Sequence, residues 1–379
     1  MSEEKYRKAG HIIVKAGMLP FPITDTLIEI LRLLYTEKEI DFIIKTFNRK
    51  ASQTIEELIK SSKLEKEKLF EIVEPLVKKG AVFKSKSSAG LMVYRLLPLI
   101  MVGIFEYQFM KKLEYSDHEK KIAVLFQKLF EEIREVIQDK YEMFLPVFRN
   151  IPPIDRTVPI LLNEEGKEIV IEIDQDLETP MEHILPAQKI EEVIDKFDDI
   201  AVGHCFCRHH KELLGENIEV EETSEICFTL GKSARFTVEQ GFARMIDKEE
   251  AMKLLRKAEN AGMVHKVYHP FGNISKDETS ICNCHKSYCA TFELWKSGTM
   301  PMINATNYLS IIDEDLCVGC GTCVQECPVD AIELNDKNKA ERNPEWCIGC
   351  GVCAHFCPEN AITLQEGMRK VYVPPPRMR

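Results

Sequence analysis

The chain has 379 residues, 45% of them apolar and 29% charged, enough for two or three packed domains and unlike a disordered or membrane-embedded sequence. Its net charge of −11, from 50 basic and 61 acidic residues, argues against nucleic acid as a bulk partner, because phosphate binding needs clustered positive charge. The longest near-apolar run, Leu96–Phe105, contains Pro98 and is far shorter than the ~20 residues of a membrane span. Met1–Lys5 does not start a signal peptide, so the sequence reads as soluble and cytoplasmic, with no transmembrane segment. The 14 cysteines, roughly 4% of the chain against ~8–10% in disulfide scaffolds, point to metal ligation or redox chemistry, and none precedes Cys205.

Residues 1–22 read as a mixed leader ending in Pro20-Phe21-Pro22. From Thr24 the apolar spacing of Leu27, Ile28, Leu31 and Leu34 predicts a helix, and a second is expected over Glu37–Phe47. Ser52-Gln53-Thr54 starts a third, with Glu56 and Glu57 in its first turn, and a fourth covers Glu65–Lys79. Gly80 stops it, and Ala81–Lys84 and Met92–Leu96 read as two strands around the polar tip Ser85–Gly90. This succession resembles a winged helix-turn-helix domain over about residues 24–97. In such a domain Glu65–Lys79 would face DNA, but Glu65, Glu67, Glu71 and Glu74 balance Lys66, Lys68, Lys78 and Lys79, and no Arg offers a bidentate base contact. Protein interaction or dimerisation is therefore the expected role, with a homo-oligomer among the partner readings.

Ile122, Leu125, Leu129, Ile133 and Ile137 predict a long amphipathic helix over Asp117–Phe144. Leu145–Pro159, with Pro146, Pro152, Pro153 and Pro159, reads as a stiff linker. Beyond it are predicted a strand (Glu168–Ile173), a helix (Lys189–Phe197) and a strand (Ile200–Val202) that runs into His204-Cys205-Phe206-Cys207-Arg208. A helix capped by Asp247 and stopped by Gly262 precedes a strand at Met263–Tyr268. The fold class is thus α+β and multidomain: a winged-helix-like domain (1–100), a helical connection and linker (101–150), a Cys-containing α/β middle domain (151–310), a cluster-binding domain (311–365) and a basic, Pro-rich tail (366–379).

One internal repeat dominates the chain. Cys317-Val-Gly-Cys320-Gly-Thr-Cys323-Val-Gln-Glu-Cys327-Pro328 returns thirty residues later as Cys347-Ile-Gly-Cys350-Gly-Val-Cys353-Ala-His-Phe-Cys357-Pro358. Both copies fit C-x2-C-x2-C-x3-C-P, and residues 311–365 closely resemble the bacterial-type ferredoxins with two [4Fe–4S] clusters. Three thiolates on a tight loop can hold three irons of one cube, and Gly319, Gly321, Gly349 and Gly351 permit the backbone angles that this needs. The resemblance implies that the fourth ligand crosses over: Cys317, Cys320, Cys323 and Cys357 for one cluster, and Cys347, Cys350, Cys353 and Cys327 for the other. Zinc modules use two separated CxxC pairs instead. Residues 312–365 sum to −7, ten acids against three bases, which suits steering toward a basic redox partner or is simply a solvated face. Trp346, beside Cys347, reads as a shield for the second cluster or as packing.

The other six cysteines, Cys205, Cys207, Cys227, Cys282, Cys284 and Cys289, all lie between the Pro-rich segment and the repeat. Two C-x-C pairs on neighbouring loops could each span two corners of a cube, so Cys205, Cys207, Cys282 and Cys284 are expected to ligate a third [4Fe–4S] cluster, with Cys227 and Cys289 as alternates. Zinc, a redox dithiol and plain packing are the competing readings, and His204, His209, His210 and His285 are substitute ligands. The layout resembles multi-iron–sulfur proteins of strict anaerobes, with a C-x-C-R, a C-N-C run and a terminal ferredoxin. Those carry more cysteine in the C-N-C run than this chain, where His285, Ser287 and Tyr288 intervene.

No strand-linked GxGxxG is present, and Gly231-Lys232-Ser233 lacks the upstream glycine of a P-loop. The leading functional reading is an electron-transfer protein or subunit serving a redox partner or larger reductase in anaerobic metabolism. An oxidoreductase with its reactive centre at Cys205–Cys289, and an iron–sulfur redox-sensing regulator of transcription, are the alternatives.

Overall fold

A computed structural model describes residues 2–17, 21–87, 89–150, 155–173, 189–220, 224–270, 273 and 276–378. The backbone divides into two compact units, one of Met1–Val136, Gly203–Ile218 and Ala234–Arg244, the other of Ile137–Val202, Glu219–Ser233 and Met245–Arg379. No described helix is long and apolar enough to cross a membrane.

The first unit begins with a helix, α1 (Ser2–Lys15), where a leader was expected. Tyr6, Ala9 and Ile13 recur at helical spacing and are buried, a stripe masked in the sequence by the surrounding charges. Next come α2 (Asp25–Leu34) and α3 (Glu37–Thr46), whose first turns are capped by Thr24 and by a reciprocal Thr36–Glu39 box. They are followed by β1 (Ser52–Thr54), α4 (Ile55–Ser62), α5 (Lys66–Lys78), β2 (Val82–Lys86) and β3 (Met92–Leu96). The three strands pair antiparallel in the order β1-β3-β2. Then come α6 (Ile104–Met110) and α7 (Asp117–Asp139); in the second unit a new helix, α8 (Tyr141–Asn150), runs through Pro146.

Of the prolines read as a linker, Pro146 lies within α8, Pro152 and Pro153 fall outside the described residues, and Pro159 directly follows a sheet strand, β4 (Asp155–Val158). Pro159 and the earlier prolines lie outside β4, so its N–H groups remain free for the ladder. The chain continues through β5 (Ile171–Ile173), α9 (Ile190–Asp195), β6 (Ile200–His204), α10 (Phe206–Leu213), β7 (Glu225–Leu230), α11 (Lys232–Glu239), β8 (Ala243–Ile246) and α12 (Lys248–Asn260). As expected, Asp247 caps α12, accepting from the Glu250 N–H at 2.7 Å. After β9 (Val264–Tyr268), β10 (Ser280–Cys284), α13 (Ala290–Lys296) and β11 (Met302–Ile312) come α14 (Thr322–Glu326), β12 (Ile332–Leu334), β13 (Ala340–Arg342), α15 (Val352–His355) and β14 (Ile362–Val373).

Nine strands form one mixed sheet in the order β5-β14-β11-β4-β9-β10-β7-β6-β8. Val158, Phe228, Val267 and Ile281 line one face and pack with Ile190, Val193, Ala251 and Leu255 of α9 and α12. β11 crosses residue 310 unbroken, pairing antiparallel with β14 and parallel with β4. The repeat region is therefore built onto the sheet that carries the middle cysteines. Residues 366–373, expected in a tail, are paired strand.

In the first unit α10 carries His209 and His210, each buried and bonded to a carbonyl: His209 Nδ1 to Phe109 O at 2.7 Å, His210 Nε2 to Ala123 O at 3.0 Å. These are satisfied core histidines. Burial, only partly offset by the Ala123 carbonyl, pulls His210 from 6.5 down to about 4. The folded ring resists a proton that the unfolded chain accepts, so stability should be lost as pH falls from about 6.5 to about 4, by on the order of 3 kcal/mol. Urea unfolding at pH 7 and pH 4.5 should show that loss in the wild type and a smaller one in His210→Gln.

Candidate iron–sulfur centres

The two Cys runs fold into matching loops. Gly319 and Gly349 hold φ of +70° and +65°, and a Cβ there would lie 2.0 Å from the Asn338 carbonyl oxygen and 2.1 Å from that of Tyr308. Only glycine lets these loops approach the neighbouring backbone so closely.

Donors point at sulfur in register with the repeat. The Ala331 N–H donates to Cys327 Sγ at 3.2 Å, and the Ala361 N–H to Cys357 Sγ at 3.3 Å. The Ala340 N–H donates to Cys317 Sγ at 3.4 Å, and at the corresponding place in the other copy Ser310 Oγ lies 3.6 Å from Cys347 Sγ. Donors aimed at sulfur stabilise thiolate ligands.

Each trio of thiols has a thiol of the other run beside it. A cavity is lined by Cys317, Cys320, Cys323 and Cys357. Burial first, then Cys357, Cys317 and Cys320, push Cys323 up to about 11. Burial raises Cys353 as well, followed by Cys350, Cys347 and Cys327. A buried thiol beside three others, with amide donors on neighbouring sulfurs, fits a cationic centre that ligates thiolates and displaces their protons.

The two sites differ in exposure. Cys320 is exposed and Cys317 and Cys357 half-buried, whereas Cys327, Cys347, Cys350 and Cys353 are all buried. Part of that cover comes from the chain after β4: the Ile160 N–H donates to Cys350 O at 2.9 Å, and His355 Nδ1 lies 2.6 Å from Leu162 O. Trp346 meets Trp295 of α13 edge-on at 5.4 Å.

The other cysteines occupy different settings. Cys205 precedes α10 and Cys207 lies within it, both in the first unit, while Cys227, Cys282, Cys284 and Cys289 belong to the second. The Cys282–Cys284 pair is on strand β10, not on a loop, and is paired with β9 at every residue. The turn after β10 brings Cys289 back within hydrogen-bonding reach of Cys284. His285 serves that turn: its ring accepts from the Ser287 N–H at 3.2 Å and stacks on Tyr288 at 5.1 Å. Among the described residues, no three His, Cys, Asp or Glu side chains converge as ligands of a single metal ion.

Residues 310–364 match the 4Fe-4S dicluster domain family. Similar proteins include a probable ferredoxin of Methanosarcina thermophila, 64% identical over 25 residues (7% of this chain, 43% of the relative). Ferredoxin-2 of Desulfomicrobium norvegicum is 52% identical over 29 residues (8% and 49%). ABC transporter E family member 1 of Arabidopsis thaliana is 31% identical over 62 residues (16% and 10%). The chain thus spans less than half the length of these relatives, and only a tenth of the last. No solved structure matches. With the loops, the sulfur donors and the family match in agreement, the C-terminal segment of this chain is a ferredoxin-type 4Fe–4S dicluster domain.

Proposed function

We propose that the chain passes single low-potential electrons to a redox protein partner, a reductase of anaerobic metabolism, through the end of the ferredoxin domain that bears Cys320. Cys317, Cys320, Cys323 and Cys357 would hold one [4Fe–4S] cluster and Cys347, Cys350, Cys353 and Cys327 the other. Such clusters supply one-electron redox chemistry when bound.

The unequal exposure of the two thiol sets carries this reading. Around the open set stand the exposed side chains of Leu316 (53%), Val318 (59%) and Leu334 (39%). Asp313, Glu314 and Asp315 directly precede Leu316 in sequence, and Glu359 lines the same cavity as Val318 and Leu334. An apolar centre with an acidic rim suits a basic docking face on the partner, which the charge would orient during encounter. At the closed set the main chain of Ile160 bonds to Cys350 and covers it.

Paramagnetic relaxation tests the reading. The reduced-cluster EPR signal that survives in Cys327→Ala should relax faster when a neutral gadolinium chelate is added, and the signal that survives in Cys357→Ala should not respond. Equal responses would overturn it.

The first unit supports a protein-docking role. The order α3-β1-α4-α5-β2-β3 with the sheet β1-β3-β2 supports a winged-helix-like reading. Two of its cations are committed locally: Lys79 to Glu39 at 2.7 Å, and Lys84 to Glu74 and Glu239 at 3.4 and 3.3 Å. The six cysteines outside the repeat are proposed to include the ligands of a third [4Fe–4S] cluster.

A further inference from the structure

We infer that the third cluster is built within the second unit alone, by Cys227, Cys282, Cys284 and Cys289 on one face of the nine-stranded sheet, over a buried Lys266–Asp155 pair. This rests on the reading that a third cluster exists, and replaces the ligand set that the two C-x-C pairs suggest.

The face follows from register. Along a strand, side chains alternate between the two faces, so Cys282 and Cys284 leave β10 on the same side as Ser280. Ser280 stands opposite Thr229 of β7, and Ile281 opposite Phe228. Ile281 and Phe228 both lie in the hydrophobic core on the other side, which puts Cys227 and Thr229 on the face of the cysteines. The bond from Asn283 Nδ2 to Ile226 O, 2.7 Å, keeps the two strands together at this level. On the other side of β10, Cys282 stands opposite Lys266 of β9. Cys289, at the start of α13, closes over the same face beside Cys284.

The spacing favours a multi-iron centre. Cys282 and Cys284 are strand-mates about 6.7 Å apart along a fully paired strand. That separation suits two corners of a cube better than one ion with sulfur bonds of about 2.3 Å. Cys227, Cys284 and Cys289 are 5%, 4% and 3% exposed, so solvent is largely kept from them.

A second observation points to an anionic guest. Lys266 is fully buried; its Nζ pairs with Asp155 Oδ2 at 2.9 Å and has no other hydrogen-bond partner among the described residues. Leaving a buried ammonium's donors unfilled is costly. Four thiolates around a [4Fe–4S] core of charge +2 carry a net charge of −2, and cluster sulfur would accept from Lys266. Each ligated thiol gives up its proton to solvent, so filling the site releases up to four protons.

The site also adjoins the ferredoxin module. Lys286, between Cys284 and Cys289, donates to Gln325 O and to Glu326 Oε2, both at 2.7 Å, and Glu326 immediately precedes Cys327. The third centre is thereby tied to the chain that supplies a ligand to the closed ferredoxin site.

The test uses the full-length chain, purified anaerobically, with iron and sulfide counted and EPR recorded before and after dithionite reduction. Wild type should hold about twelve irons, three clusters of four. The double variant Cys284→Ala/Cys289→Ala should fall to about eight while keeping both ferredoxin signals, which serve as the internal control for folding. Cys205→Ala/Cys207→Ala should stay at about twelve. Lys266→Met should keep the iron but shift the third cluster's potential to a more negative value, since a compensating positive charge is removed. Loss of four irons in Cys205→Ala/Cys207→Ala would overturn this ligand set while the third cluster stands. About eight irons in wild type, or zinc at the site, would overturn the third cluster itself.

Discussion

Replacing Cys327 with alanine should remove the cluster seated on Cys347, Cys350 and Cys353 and spare the one beside which Cys327 stands in sequence. Cys327 is only four residues beyond Cys323, so local reasoning would assign both to one centre. The fold separates them. Cys323 shares a cavity with Cys317, Cys320 and Cys357, whereas Cys327 is buried beside Cys347 and Cys350. Iron should fall by about four per chain, and the surviving signal should be that of the open site. Because ligation is coupled to folding, the variant should also unfold at a lower temperature, with the loss centred on the Cys347–Cys353 loop. Loss of the Cys317–Cys323 signal instead would refute the crossover. Cys357→Ala is the mirror experiment and should remove the open cluster alone.

The ferredoxin domain was legible because its chemistry is local. Thiolates must sit at fixed spacing, and glycines must take left-handed angles between them, so the run of residues nearly determines the loop. The caps of α12 and of the helices after Thr24 were legible for a similar reason, since a cap is a contact between residues three apart. Three features were not. The α1 stripe of Tyr6, Ala9 and Ile13 is diluted by lysines and glutamates that simply face solvent. Prolines at 146 and 159 read as part of a linker, yet the first is absorbed within α8 and the second follows β4, leaving its hydrogen bonds intact. The middle cysteines are the clearest case. C-x-C reads as a loop chelate, whereas on a strand a period of two puts both thiols on one face. What joins them to Cys227 is the register of β7 against β10, about fifty residues apart in sequence, and no local pattern specifies it.

The repeat itself offers a controlled comparison, and Gly351→Ala should be far more damaging than Gly321→Ala. The two glycines hold the same place in matching motifs, with φ of +77° and +80°, so an alanine at either meets the same left-handed penalty, roughly 1–2 kcal/mol. Their surroundings differ. Near Gly321 the closest atom to an added Cβ is Leu334 Cδ1 at 3.9 Å, ordinary contact. At Gly351 the added Cβ would lie 2.4 Å from the Ile160 carbonyl oxygen, and backbone would have to move. Ile160 is the residue whose N–H bonds to Cys350 O, so displacing it uncovers the closed site. Gly321→Ala should therefore keep both clusters, with a modestly lower melting temperature. Gly351→Ala should lose the Cys347–Cys353 cluster first on exposure to air, followed by EPR and iron release over time, while the open cluster decays at the wild-type rate. Equal behaviour of the two variants would mean that the backbone around Ile160 does not protect the closed site, and that the difference between the two clusters has to lie in the ligand loops themselves.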